Sequence, residues 1–182
     1  RMDCCVVTDS GGAVVVVAPE IAKSLKKPKV KLIGHGESPK HQMGGKIDLT
    51  YTGAVRSGPI AFGEAGVKPS DIKYASIYDS FTITVLQQIE DLGFCKKGEG
   101  GPFVEGGRIA PGGALPVNTN GGGLSYCHPG MYGLFLLIEG VRQLRGERDA
   151  GQVKNAHTAL VHGNGGVLSA QATVILGDAS TV

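Results

Sequence analysis

Tryptophan is absent from these 182 residues, and aromatic side chains make up only 5%. A buried core must therefore be built mainly from Val, Ile, Leu and Ala. Long apolar runs are missing too. The longest, residues 13–18 and 134–138, fall far short of the ~20 residues that a membrane-crossing helix needs, and no signal-peptide pattern is visible. Basic stripes with interleaved aromatics are lacking, and net charge is only +2. The densest basic stretch, residues 23–31 with Lys26, Lys27 and Lys29, reads as a solvated linker, so a nucleic-acid partner is not expected. The four cysteines, Cys4, Cys5, Cys95 and Cys127, show no paired metal-ligand spacing. Adjacent Cys4 and Cys5 suit neither a zinc knuckle nor a disulfide framework, so no metal is expected. Reduced thiols fit a cytoplasmic protein.

What is abundant is glycine, 30 of 182 residues, more than twice the usual ~7%. The glycines follow no Gly-X-Y period. They cluster between apolar runs, as tight loops require. The apolar fraction of 41% is enough for one ordinary domain.

Patterning predicts alternating strands and helices. Residues 12–17 (GAVVVV) read as a fully buried strand, and residues 19–25 as a short helix with Pro19 in its first turn. Residues 30–36 read as a strand. Residues 52–65 read as a helix, interrupted or started at Pro59. A strand over 72–77 leads into a helix over 82–92 that stops at Gly93. Residues 95–116 read as a long glycine-rich loop, the kind that is usually functional or mobile. An apolar helix follows over 134–144. Strands over 158–161 and 170–176 close the chain, joined by a turn at 162–166. The pattern is α/β with a mixed sheet.

Three polar clusters fall where strands end or helices begin. They are Tyr78-Asp79-Ser80-Phe81, Cys127-His128-Pro129 and His162-Gly163-Asn164. In α/β folds, sites collect at the carboxyl ends of strands. The second cluster lies in residues 118–133, NTNGGGLSYCHPGMYG, a glycine-rich turn before a helix. Such a turn offers backbone N–H groups and an imidazole to an anionic or carbonyl oxygen. Each cluster also has a plain structural reading. Asp79 or Ser80 would cap the helix from Thr82, His128 would bond a backbone carbonyl, and His162 would sit in a hairpin turn.

Taken together and in this order, the clusters resemble the C-terminal half of the thiolase superfamily. The family's Gly-His-Pro motif matches Cys127-His128-Pro129, and its Asn-Pro-x-Gly-Gly segment matches residues 118–122. Its Asn-Glu-Ala-Phe motif falls on residues 78–81, and its closing Cys-x-Gly segment on residues 162–166. Residues 6–17 look like the last strand of the N-terminal half. The subgroup most similar is the sterol-carrier-protein-type thiolases.

The resemblance implies a thiolase-like αβα half with a five-stranded mixed sheet. Residues 1–28 would be the last strand and helix of the N-terminal half, and 29–182 the C-terminal half proper. It implies an acyl-coenzyme A acyltransferase working by Claisen condensation or thiolysis. No cofactor would be covalently bound, and coenzyme A would enter as substrate. The chain would be a piece of a longer protein, inactive alone, with its nucleophilic cysteine upstream. His128 would activate that cysteine and donate to the thioester oxyanion. His162 and Ser80 would stand where the family offers an acid/base cysteine, and Tyr78 where it holds a water-binding Asn or His. Asp79, Asn164, Gly163, Tyr126 and Gly122 would line the substrate.

Two alternatives are open. One is a thiolase-fold retro-aldolase on lipid or steroid coenzyme A esters, using Tyr78 or Tyr126. The other is a non-catalytic acyl-coenzyme A binding subunit. The full-length protein would be a homo-oligomer, with room for an OB-fold partner protein.

Overall fold

The computed structural model describes residues 3–39, 48–166 and 168–181. Four strands form one mixed sheet: β1 (Lys31–Pro39), β2 (Tyr74–Ile77), β3 (Thr158–Gly165) and β4 (Ala170–Gly177). Their spatial order is β1-β4-β3-β2. β4 runs antiparallel to both β1 and β3, and β3 runs parallel to β2. The carboxyl ends of β2 and β3 therefore lie side by side, which brings two of the three polar clusters together.

Among the described residues the sheet has four strands rather than the expected five. Ala75 of β2 makes a parallel bridge to Val117 on its free edge, but the pairing stops there. Pro116 has no N–H to donate, and Asn118 turns the backbone to φ 49°.

Two helices pack on one face of the sheet: α2 (Ala54–Ala65) and α3 (Thr82–Asp91). Ala61, Phe62, Val85 and Ile89 meet Ala75, Ile77, Leu160 and Ile175 there. On the other face α6 (Gly133–Arg145) buries Leu136 and Leu144 against Tyr74, Ala159, Val161 and Leu176. The strand alternation that separates Leu160 from Val161 assigns each side chain to its layer. Gly36 allows α2 to lie directly on β1, since a Cβ there would come within 2.2 Å of the Ser57 carbonyl oxygen. α2 runs unbroken through Pro59, so this proline neither starts nor interrupts it.

Two further expectations change. Residues 12–17 form no strand, and Val15 and Val16 are 86% and 87% exposed. A β-branched run makes a strand only where neighbouring strands accept its hydrogen bonds, and no described strand pairs with this run. The long glycine-rich loop holds a short helix, α4 (Gly100–Val104), followed by a 3-10 turn over Glu105–Gly107. Two further short α-helices are α1 (Pro19–Ser24) and α5 (Gly122–Ser125). Among the described residues, no helix is long and apolar enough to cross a membrane.

Candidate active site

β2 ends at Ile77, and the next residue carries the site. The Tyr78 N–H donates to the His162 carbonyl at 2.9 Å, extending the parallel ladder by one step. Asn118 then clamps the chain edge-on. Its Oδ1 accepts from the Ile77 N–H at 2.8 Å, and its Nδ2 donates to the Ile77 carbonyl at 2.7 Å. The Tyr78 carbonyl accepts from two side-chain amides, Gln88 Nε2 at 3.2 Å and Asn164 Nδ2 at 3.1 Å. The backbone bearing Tyr78 is thus held from three elements.

The Tyr78 ring turns toward α6, in edge contact with the buried Tyr132 ring. Its hydroxyl lies 2.8 Å from His128 Nε2 and 3.1 Å from the Gly130 carbonyl oxygen. One hydroxyl proton can serve only one of these acceptors at a time. When it goes to Gly130, the imidazole N–H donates to the Tyr78 oxygen. When it goes to His128, that nitrogen is the acceptor. The pair is therefore a ready proton relay. Burial pushes the Tyr78 phenol above its ordinary value, so the hydroxyl keeps its proton near neutral pH. His128 stacks on Tyr132 at 6.0 Å and is only half-buried, so one edge of the relay reaches the surface.

Asp79 faces the glycine-rich turn. Its two oxygens accept the backbone N–H groups of Gly123 at 2.7 Å and Leu124 at 3.1 Å. Those N–H groups begin α5, so the carboxylate caps α5 and not the helix that follows it in sequence. The anion expected at this turn is internal to the chain. Burial raises the Asp79 carboxyl above its ordinary value, opposed by the two N–H bonds. Gly122 is obligatory beside it. Its φ is 63°, and a Cβ there would lie 2.2 Å from Asp79 Oδ2.

α3 is capped differently from expectation. Neither Asp79 nor Ser80 caps it. The Ser80 hydroxyl pairs with Thr84 Oγ1 at 3.0 Å, and the Asp3 carboxylate takes the first helical N–H, that of Thr82, at 2.8 Å.

His162 is not in a turn, because β3 continues through it to Gly165. It is fully buried on the face toward α2, the opposite side from the Tyr78 ring. Its Nε2 donates to Gln171 Oε1 at 2.7 Å, which leaves Nδ1 to accept from Thr173 at 2.9 Å. Thr173 Oγ1 meets Ser57 Oγ at 2.8 Å. Burial drives the imidazole pKa down to about 4. The protein brings Tyr78 and His128 together, and it holds His162 in a sealed network behind them.

The His162 shift predicts an acid-sensitive fold. Unfolded histidine titrates near 6.5, so between pH 6.5 and 4 the unfolded chain binds a proton that the folded chain refuses. Stability is fully present above pH 6.5 and falls as pH drops toward 4, by about 3 kcal/mol from this group. Urea unfolding at pH 7 and pH 4.5 should show a smaller acid loss in His162→Gln than in the native chain. Equal losses would exclude His162 as the source.

The β3 register sets Gly163 beside Tyr78 on the same face. A Cβ at Gly163 would meet nothing within 4 Å, so open space adjoins the relay there. Tyr126 lies apart, more than half exposed, in a cleft shared with Phe135, Ile138 and Arg142. Asn118, which clamps the Ile77 backbone, and Gln88, which bonds the Tyr78 carbonyl, were missed as site residues. Asn118 opens the glycine-rich motif and was findable, whereas Gln88 sits in an amphipathic helix like any other polar residue. Among the described residues, no group of three or more His, Cys, Asp or Glu side chains is placed to hold a metal.

Residues 36–178 match the family described as thiolase C-terminal domain-like. A steroid side-chain-cleaving aldolase of Thermomonospora curvata is 39% identical over 80% of this chain and 38% of its own length. A 17-hydroxy-3-oxo-4-pregnene-20-carboxyl-CoA lyase of Mycobacterium tuberculosis is 40% identical over 80% of this chain and 39% of its own. Among solved structures, an Ltp2-ChsH2(DUF35) aldolase superposes with a TM-score of 0.88 at 33% identity, covering 98% of this chain and 47% of that one. The chain thus spans less than half the length of these relatives.

Proposed function

The chain belongs to the thiolase family as a C-terminal domain-like member, and from that premise we propose that it serves a lyase. The reaction is retro-aldol cleavage of a bulky β-hydroxyacyl-coenzyme A thioester. The observation that carries this reading is the 2.8 Å contact between the Tyr78 hydroxyl and His128 Nε2.

Retro-aldol cleavage moves one proton and needs no covalent acyl-enzyme. A base removes the β-hydroxyl proton, the C–O bond becomes a carbonyl, and the Cα–Cβ bond breaks. The electron pair passes into the thioester enolate, and a proton returns to the α-carbon. The products are a ketone or aldehyde and a shortened acyl-coenzyme A. His128 takes the hydroxyl proton, and Tyr78, protonated at neutral pH, returns one to carbon. Their mutual hydrogen bond restores the starting state. General acid–base catalysis of this kind contributes about 10²–10⁴-fold. The bulky part of the substrate lies over Gly163, where the strand leaves room.

The neighbouring residues favour this reading over the acyl transfer first expected. Thiolytic chemistry asks for a second cysteine near the substrate. Ser80 stands at one such position with its hydroxyl paired to Thr84, and His162 stands at the other, sealed within the fold. The two relatives named as aldolase and lyase support it independently. The Ltp2-ChsH2(DUF35) aldolase structure supports a second protein working beside this chain.

The test uses the full-length protein and a β-hydroxyacyl-coenzyme A bearing a tertiary alcohol on a ring. Ketone and shortened thioester should appear in equal amounts, and should persist after cysteine alkylation. An acyl-cysteine adduct from labelled acyl-coenzyme A, without ketone, would return the reading to acyl transfer. Binding of the thioester with neither product would point to a non-catalytic subunit.

A further inference from the structure

Residues 3–8 run across both halves of the site, and nothing in the proton relay itself requires them. The Asp3 carboxylate accepts the Thr82 N–H at 2.8 Å and the Thr82 hydroxyl at 3.2 Å, 79 residues away in sequence. Thr82 opens α3 directly after Tyr78-Asp79-Ser80-Phe81. The Val6 N–H donates to the Gly123 carbonyl at 3.0 Å, and Val7 forms a parallel bridge to His128. The His128 N–H donates to Thr8 Oγ1 at 3.0 Å across 120 residues. One six-residue segment is therefore tied at one end to the Tyr78 motif and at the other to the histidine.

This arrangement solves a problem set by the local sequence. His128 lies between α5 and α6, in a stretch with glycine at 121–123, 130 and 133. Its backbone N–H belongs to no helix, and Pro129 next to it has no N–H at all. A loop so rich in glycine has high conformational entropy to lose. Stacking on Tyr132 orients the ring, and the backbone beneath it is held from outside the loop by the Val7 bridge and by the Thr8 hydroxyl, which accepts its N–H.

We propose that residues 3–8 act as a strap that sets the Tyr78–His128 geometry, with Thr8 as the positioning residue for His128. Its catalytic consequence rests on the retro-aldol reading, but its structural claim does not. Thr8 touches no reacting atom. It acts by holding the histidine backbone, so that the side chain meets the Tyr78 hydroxyl at hydrogen-bond length.

The experiment compares Thr8→Val, which keeps shape and removes the acceptor, with Thr8→Ser, which keeps the acceptor. Both are made in the full-length protein. In the cleavage assay, Thr8→Val should lower kcat about tenfold, since small misplacements of catalytic groups are costly. KM should change less than twofold, and Thr8→Ser should restore kcat. In parallel, ¹⁵N-histidine NMR reads the His128 ring directly. The resonance that reports its hydrogen bond to Tyr78 should be present in the native protein and in Thr8→Ser, and lost or broadened in Thr8→Val. An unchanged ring resonance in Thr8→Val overturns the strap whether or not cleavage is observed. Loss of kcat in both variants alike, with lowered melting temperature, would make the segment merely structural and also overturn it. If the native protein shows no cleavage but the NMR pattern holds, the lyase reading fails and the strap stands.

Discussion

Tyr78→Phe should lower the rate of retro-aldol cleavage by about 10²-fold or more, with the fold intact. The substitution removes a single oxygen, and that oxygen lies 2.8 Å from His128 Nε2. The ring itself stays, so its edge contacts with Tyr132 and His128 survive. The other hydroxyl partner, the Gly130 carbonyl, lies at an exposed residue where water can replace the lost donor. The cost in stability should therefore be near 1 kcal/mol, the usual net worth of one hydrogen bond. The rate is another matter, because the return of the proton to carbon loses its donor. His128→Ala should be as damaging. If the two residues work as one relay, the double variant should be little worse than either single one. Full additivity in log kcat would mean that they act separately. Native turnover in Tyr78→Phe would remove the phenol from the mechanism.

Gly122→Ala should destabilise the protein by about 4 kcal/mol, at the high end for a single substitution. Two effects add. The residue sits at φ 63°, where an L side chain costs about 1–2 kcal/mol. The new methyl would also fall 2.2 Å from Asp79 Oδ2. Relieving that overlap pulls the carboxylate off the Gly123 and Leu124 N–H groups. That leaves a buried charge without its donors and α5 without its cap, each costly. Activity should fall further than stability alone explains, because α5 leads directly into Cys127 and His128. Gly163→Ala is the control, since a Cβ there meets nothing within 4 Å. Its unfolding midpoint in urea should match the native chain. An equally mild result for Gly122→Ala would mean that the turn relaxes, and that Asp79 does not depend on a glycine beside it.

Much of this was legible in the chain itself. Helices α2, α3 and α6 and strands β1 to β4 each carry an apolar period that a single layer can bury, so they were found to within a few residues. The clusters holding Tyr78 and His128 were recognisable because polar residues stood at element ends, and the family resemblance picked them out from plainer readings. The valines at 14–17 misled for a definite reason. Strand propensity describes a side chain that fits a pleated surface, and it cannot say whether a neighbouring strand is present to pair with. His162 misled because Gly-Asn-Gly-Gly is good turn chemistry in isolation, yet the pairing of His162 with Thr173 and of Asn164 with Gln171 carries the strand past that point.

The sequence by itself determined the α/β class, the glycine-rich turn and the three polar clusters at element ends. Those follow from periodicity and local backbone chemistry, which act over a few residues. Only the tertiary structure decided the partners. Asp79 caps a helix 44 residues away, Asp3 caps one 79 residues away, and His128 leans on a threonine 120 residues away. Hydrogen-bond donors carry no record of which distant acceptor will satisfy them. That choice is made when the sheet brings β2 and β3 side by side and the buried groups must find partners or remain unpaired.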